Sequence, residues 1–169
     1  QVILENLILE IIIIDNFSND GQIGIFKKLY PKINFILNNG NNGFANGCNL
    51  GAKNANGEYL LFLNPDTIVN TDPILKMYNY LVENEDCGIV SCNQKKMNGN
   101  FEKNIRFFPD LKTLFGFFRL INKNKLNSNI LKKENVIFPN WVSGAVVFIS
   151  RKWFDKIHGW NEDYWMYYE

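Results

Sequence analysis

Cysteine, histidine and surplus charge are all scarce in this sequence, and each scarcity removes a class of function. The three cysteines, Cys48, Cys87 and Cys92, match no metal-ligand spacing, and an odd number makes a poor disulfide framework. They read as reduced, mostly buried thiols of a cytoplasmic protein. The single histidine, His158, stands just before Gly159 and reads as a helix-end residue rather than a catalyst. Lys and Arg number 18 against 17 Asp and Glu, a net charge of +1, so no global field points to nucleic acid. The basic residues between Lys95 and Lys133 are interrupted by apolar ones and read as a solvated face. No run approaches the roughly 18 apolar residues of a membrane span, and Gln1-Val-Ile-Leu-Glu5 lacks the basic start and small-residue cleavage site of a signal peptide. What the chain does have is apolar bulk. Its 169 residues are 46% hydrophobic and 15% aromatic, enough for one globular domain with a sizeable core.

The stretch Glu58-Tyr-Leu-Leu-Phe-Leu-Asn-Pro-Asp-Thr67 organises the rest. Tyr59 to Leu63 is a short unbroken apolar run, as in a strand covered on both faces, and Pro65 removes a backbone donor and ends the ladder. Asp66 is left at the strand's carboxyl end, the edge of an open α/β sheet where ligands bind and where a carboxylate can hold a metal. The same four residues, Asn64 to Thr67, also satisfy a plain turn.

Upstream, Val2 to Leu9 reads as the tail of a helix feeding the strand Glu10–Ile14, so an earlier strand is expected to be missing. That strand ends in Asp15-Asn16-Phe17-Ser18-Asn19-Asp20, whose carboxylate, amide and hydroxyl groups suit a base or ribose, and Ser18 to Asp20 also suit a helix cap. Ile23, Phe26, Leu29 and Tyr30 mark a crossover helix before Pro31, and Ile33 to Leu37 the next strand. Gly43, Gly47 and Gly51 then fall four apart, a bare stripe for close approach of a strand or a ligand. Asn46 and Asn49 near that helix start suit a diphosphate or sugar, and Gly57 suits its stop. Asp72-Pro73 is expected to open a helix burying Ile74, Met77, Tyr78, Leu81 and Val82.

Residues 87–97 read as a strand, turned at Asn98-Gly99 and returning over Phe101–Phe108. Residues 109–133 mix aromatics with Lys and Arg; a covering flap and a membrane-surface or lipid-linked-acceptor segment are both open readings. Trp141 to Ser150 reads as one strand with a bare Ser143-Gly144-Ala145 stretch, followed by a helix over Arg151–Ile157 closed by Gly159. The end, Gly159-Trp-Asn-Glu-Asp-Tyr-Trp-Met-Tyr-Tyr-Glu169, reads as a sugar-stacking wall beside carboxylates, or as core.

In order and spacing, Asp15-Asn-Phe-Ser-Asn-Asp-Gly21, Asn42-Gly-Phe-Ala-Asn-Gly-Cys-Asn49, Leu63-Asn-Pro-Asp-Thr67, Val142-Ser-Gly-Ala145 and Gly159–Glu169 resemble glycosyltransferase family 2, particularly its rhamnosyltransferase-like members. The resemblance implies a GT-A fold: α/β, a Rossmann-like mixed, mainly parallel sheet flanked by helices, here incomplete at the N-terminal strand and the C-terminus. It implies a single domain over 1–169, with a nucleotide-sugar half (1–93) and an acceptor half (94–169). Asp15 resembles the base-recognising Asp, and Asp66 the last Asp of the DxD metal motif, in the form Asn64-Pro65-Asp66. Donor contacts are implied at Asp15, Asn16, Ser18, Gly43, Asn46, Asn49, Asn64, Asp66, Gly144 and Ala145, and acceptor contacts at Trp141, Trp160, Asp163, Tyr164 and Trp165. Glu169 resembles the Glu of a Glu-Asp pair whose Asp is the usual base and would come next. Trp160-Asn161-Glu162 replaces the common Phe-Asp-Glu but keeps Glu162 as a catalytic candidate.

The implied reaction is metal-assisted, inverting transfer from a dTDP- or UDP-linked sugar, rhamnose among the candidates, to a saccharide or lipid-linked acceptor. The implied ion is Mg2+ or Mn2+ on Asp66, and the implied place is the cytoplasm, at the inner face of the plasma membrane if the membrane-surface reading of 109–133 holds. Lacking its base, this stretch is expected to transfer poorly alone. Two other readings compete: a non-catalytic nucleotide- or sugar-binding module or inactive fragment, and a sugar-nucleotide pyrophosphorylase, whose Gly-rich basic loop is not in this sequence.

Overall fold

The computed structural model describes residues 2–4, 7–101, 105–106 and 136–165. The segment 109–133, most of the return strand expected over 101–108, and Glu169 lie outside them. The chain forms two compact units, Gln1–Val90 with Gly144–Glu169, and Ser91–Ser143.

In the first unit, the start of the chain is a hairpin and not a helix tail. Strand β1 (Val2–Leu4) pairs antiparallel with β2 (Leu7–Leu9), with Val2 opposite Leu9 and Leu4 opposite Leu7. Val2, Ile3 and Ile8 are β-branched and suit a pleated surface better than a helix. Strand β3 (Ile12–Asp15) pairs in parallel with β4 (Asn34–Leu37) across helix α1 (Gln22–Leu29), a crossover unit as expected. No residue of α1 is buried, however, and Leu29 is 63% exposed, so the stripe Ile23, Phe26, Leu29 and Tyr30 does not enter a core.

Helix α2 (Gly43–Asn54) packs on β3, and the glycine stripe is the reason it can. A Cβ on Gly51 would lie 3.4 Å from the Ile14 side chain and one on Gly47 3.7 Å from Asn16. The helix stops at Asn54, three residues before the expected Gly57, and Ala55 is extended. Its carbonyl end is closed by Arg151, whose guanidinium donates to the carbonyls of Ala52, Ala55 and Gly57 at 3.3, 2.9 and 2.9 Å.

Strand β5 (Tyr59–Leu63) has the bounds the apolar run predicts. Helix α3 (Thr71–Glu83) begins one residue before Asp72, without a side-chain cap from Asn70, and buries Ile74, Met77 and Leu81, while Val82 is exposed. Of the strand expected over 87–97, β6 (Ile89–Val90) is regular. In the second unit, Lys95 and Phe101 bridge across the Asn98-Gly99 turn, with Gly99 at φ +81, as the hairpin signal required. There β7 (Ile105–Arg106) pairs antiparallel with β8 (Trp141–Val142).

The strand expected over 141–150 is therefore two, parted at Ser143-Gly144-Ala145. Its second part, β9 (Val146–Ser150), lies between β5 and β6 and is antiparallel to both. The sheets are mixed, but among the described pairs only β3–β4 is parallel, which corrects the expected parallel weighting. Of β5 only Leu60 is fully buried, and it is β9, with Val146 to Ile149 all buried, that is covered on both faces. Helix α4 (Arg151–Lys156) follows directly, capped by Ser150, and Phe154 joins Ala52, Leu60 and Ile149 in the core. His158 (φ 61) and Gly159 (φ +80) close it, the role expected of both. The cysteines are partly exposed rather than buried, and desolvation pushes the Cys87 and Cys92 thiols up. No helix among the described residues is long and apolar enough to cross a membrane.

Candidate functional site

Several candidate residues meet at the first turn of α2. At the carboxyl end of β3, Asp15 Oδ1 accepts the Ser18 N–H at 2.8 Å, folding 15–18 into a tight turn. Beside it, Asn16 Nδ2 donates to the Gly43 carbonyl at 2.9 Å and to Asn41 Oδ1 at 3.1 Å. At the carboxyl end of β5, the Thr67 N–H returns to the Asn64 carbonyl at 3.1 Å, so Asn64-Pro-Asp-Thr67 is indeed a turn. That turn is held from behind, because the Asn64 N–H donates to the Ala145 carbonyl at 3.0 Å. Asp66 is exposed at its tip. Next to Ala145, Gly144 leaves room for the Phe44 ring, whose edge would be 3.3 Å from a Cβ there. The turn reading of Asn64 to Thr67 therefore holds, and the turn leaves the Asp66 carboxylate exposed.

Residues 159–165 run back along α2 as a strap. The Asn49 side chain pairs with Trp160 as another strand would, accepting its N–H at 2.9 Å and donating to its carbonyl at 2.9 Å. Glu162 then accepts from Asn46 Nδ2 at 2.7 Å and from Asn49 Nδ2 at 2.8 Å, one bond on each carboxylate oxygen. Those two donors, Asn46 first, hold its carboxyl below the usual glutamate range. Further along, the Trp165 carbonyl accepts the Phe44 N–H at 3.1 Å, and a Cβ on Gly43 would collide with that carbonyl. Behind the strap, Asn38 is 7% exposed and donates to both Asn16 Oδ1 and Asn46 Oδ1 at 2.8 Å. An unbroken chain of hydrogen bonds therefore joins the β3 edge to Glu162. An open cavity of about 290 Å3 lies beside it, lined also by Asn39, Asn42, Leu50 and Lys53.

The structure distributes the expected site residues unevenly. Asn16 and Gly144 meet the first turn of α2, through the Gly43 carbonyl and the Phe44 ring, Asp15 and Ser18 form the turn beside Asn16, and Asn64 is tied to Ala145. Gly43, Asn46 and Asn49 lie on α2 itself, but the space over Gly43 and both side-chain amides are occupied by the strap. Glu162 is exposed and has both oxygens engaged by Asn46 and Asn49, which hold its carboxyl below the usual glutamate range. Trp160 packs edge-on against Phe62 and Phe154 at 5.4 and 5.6 Å, so its ring belongs to the core and not to a stacking wall. Its Nε1 is buried with no partner among the described residues. Tyr164 and Trp165, 47% and 57% exposed, and Asp163 stay open on the strap. Trp141 lies in the second unit. The sequence reading missed Asn38 and Asn41; a polar residue directly after the apolar strand β4 was the signal for the first.

The profile of Glycosyl transferase family 2 matches residues 2–156. The chain belongs to that family. Over 117 residues it is 27% identical to the rhamnosyltransferase WbbL of Escherichia coli K12, which covers 68% of this chain and 44% of that protein. Over 147 residues it is 29% identical to the poly(ribitol-phosphate) beta-glucosyltransferase of Bacillus spizizenii, covering 80% of this chain and 23% of that one. The mannosyltransferase PcManGT from Pyrobaculum calidifontis, solved with GDP-Man and Mn2+, shares the fold at a TM-score of 0.56 and 16% identity, over 91% of this chain and 39% of that chain. This family 2 chain spans under half the length of these three proteins, and its architecture is of the GT-A type, with helices flanking mixed sheets.

Proposed function

We propose that this family 2 domain binds a nucleoside-diphosphate sugar, dTDP- or UDP-linked, and serves inverting transfer of the sugar to a saccharide or lipid-linked acceptor in the making of a cell-surface polysaccharide. The observation that carries the reading is the exposed Asp66 on a turn anchored to Ala145, whose neighbour Gly144 meets Phe44 at the helix start that Asn16 ties to the β3 edge. Among the described residues no group of three or more His, Cys, Asp or Glu is arranged to hold a metal. One exposed carboxylate fits Mg2+ or Mn2+ only as an ion shared with ligand phosphates and water, which is how such ions are commonly held. Asp66 is the residue that would hold it. Bound there, the ion would neutralise charge on the departing diphosphate.

The chain's own groups account for the remainder. Asp15 and Ser18 offer a carboxylate oxygen and a hydroxyl to base and ribose. The acceptor hydroxyl attacks the anomeric carbon as the bond from that carbon to the diphosphate oxygen breaks; its proton passes to a carboxylate, for which the neighbourhood of Glu169 is the family-implied source. Tyr164 and Trp165 offer open rings to the acceptor. The test is thermal unfolding with UDP or dTDP, with and without Mn2+. Wild type is expected to gain about 2.7 kcal/mol at a hundredfold excess over Kd, and only with metal. Asp66→Asn is expected to lose that gain; equal stabilisation of both proteins sinks the reading. Free UDP or dTDP released only when acceptor is added separates a transferase from a binding module.

A further inference from the structure

The network around Glu162 is larger than a helix cap requires. Two asparagines one turn apart on α2 meet the two oxygens of one carboxylate, and one of them also pairs with both main-chain groups of Trp160. Gly159 makes the approach possible, since a Cβ there would lie 2.8 Å from Asn49 Oδ1, and Gly43 does the same for Trp165 at the other end. Three points of attachment over so few residues leave the strap no freedom to slide along the helix. The strap is also the segment that leads, in sequence, to Glu169.

We propose that Asn49 and Glu162 are positioning residues: by clamping residues 159–165 onto α2 they set where the strap's open rings, Tyr164 and Trp165, meet the acceptor, without touching substrate themselves. This rests on the transferase reading above. Asn is required at position 49 because its amide both donates and accepts, matching a peptide group; Asp keeps the shape but loses both donated bonds and sets a second negative charge beside Glu162. A clamp of this kind acts on geometry, so its loss falls on turnover and not on donor affinity.

The experiment uses the full-length protein with UDP-glucose and dTDP-rhamnose as donors, a saccharide acceptor, and free UDP or dTDP as the readout. Asn49→Asp is expected to lower kcat roughly ten- to a hundredfold with the donor KM unchanged, the size of effect that a misplaced reacting group produces. Stabilisation by UDP with Mn2+ is expected to persist. The double variant Asn49→Asp with Glu162→Gln reverses the polarity of the pair, an amide at position 162 now donating to a carboxylate at position 49, and is expected to recover most of the lost kcat. Should Asn49→Asp fail to fold, Glu162→Gln carries the same readouts, because that side chain is exposed. An unchanged kcat, or a donor KM that rises as kcat falls, overturns the clamp. Wild type that releases neither nucleotide overturns the transferase reading on which it rests.

Discussion

Glu162 stands in the open yet has both oxygens engaged, and its ionisation follows from that. Because Asn46 and Asn49 donate only to the charged form in a useful way, the folded protein holds the carboxyl below its unfolded value. The contribution to stability is therefore complete above an ordinary glutamate pKa of about 4.3 and is lost as pH falls through the lower folded value. Wild type and Glu162→Gln should differ most in melting temperature near neutral pH and converge as pH falls through the lowered folded value. Thermal melts across pH 3–7 check this; a gap that widens toward acid contradicts it. The same residue marks the limit of reading a site from sequence. Asp15 and Asp66 were legible because each follows an apolar run that had to be a strand, so their place at a strand end was determined locally. Asn46 and Asn49 were legible as polar groups on a helix start, but an amide donor serves a phosphate or a carboxylate equally well. Only the fold brings the second of these, from more than a hundred positions downstream, into reach.

Arg151 shows the same limit for whole elements. The apolar run of β5 predicted its bounds, and the hairpin signal at Asn98-Gly99 held, since both depend on neighbours in sequence. The end of α2 does not. Nothing in Lys53-Asn-Ala-Asn-Gly57 says that the helix carbonyls will be satisfied by a guanidinium from the first residue of α4. Nor do Val2 to Leu9, apolar but for Glu5 and Asn6, carry a period that separates helix from strand. The Arg151 fork reaches three half-buried carbonyls; removing it takes away the donor it gives Ala55 and Gly57, while Ala52 keeps the Ala55 N–H. Arg151→Ala is expected to cost about 2–3 kcal/mol in urea unfolding, as for bonds to a charged group. Lys at this position should restore only part, because a single ammonium cannot span the three oxygens. An Arg151→Ala protein with an unchanged urea midpoint would show that water replaces the fork without penalty.

At the scale of the molecule, the first unit is built from two stretches of chain separated by the whole of the second unit. Its central strand, β9, joins β5 to β6 and supplies Val146 and Ile149, the most deeply buried of the large side chains. A chain ending at Ser143 is expected to lose cooperative unfolding, since β5 and β6 no longer share a sheet; a sharp urea transition for that truncation would contradict the topology. The order of synthesis adds a further consequence. When Leu63 has left the ribosome its future partner has yet to be translated, and at ordinary elongation rates the wait is on the order of ten seconds. Throughout that interval the nascent chain carries two open hydrogen-bonding borders, which makes it a natural client for chaperones that shield extended segments.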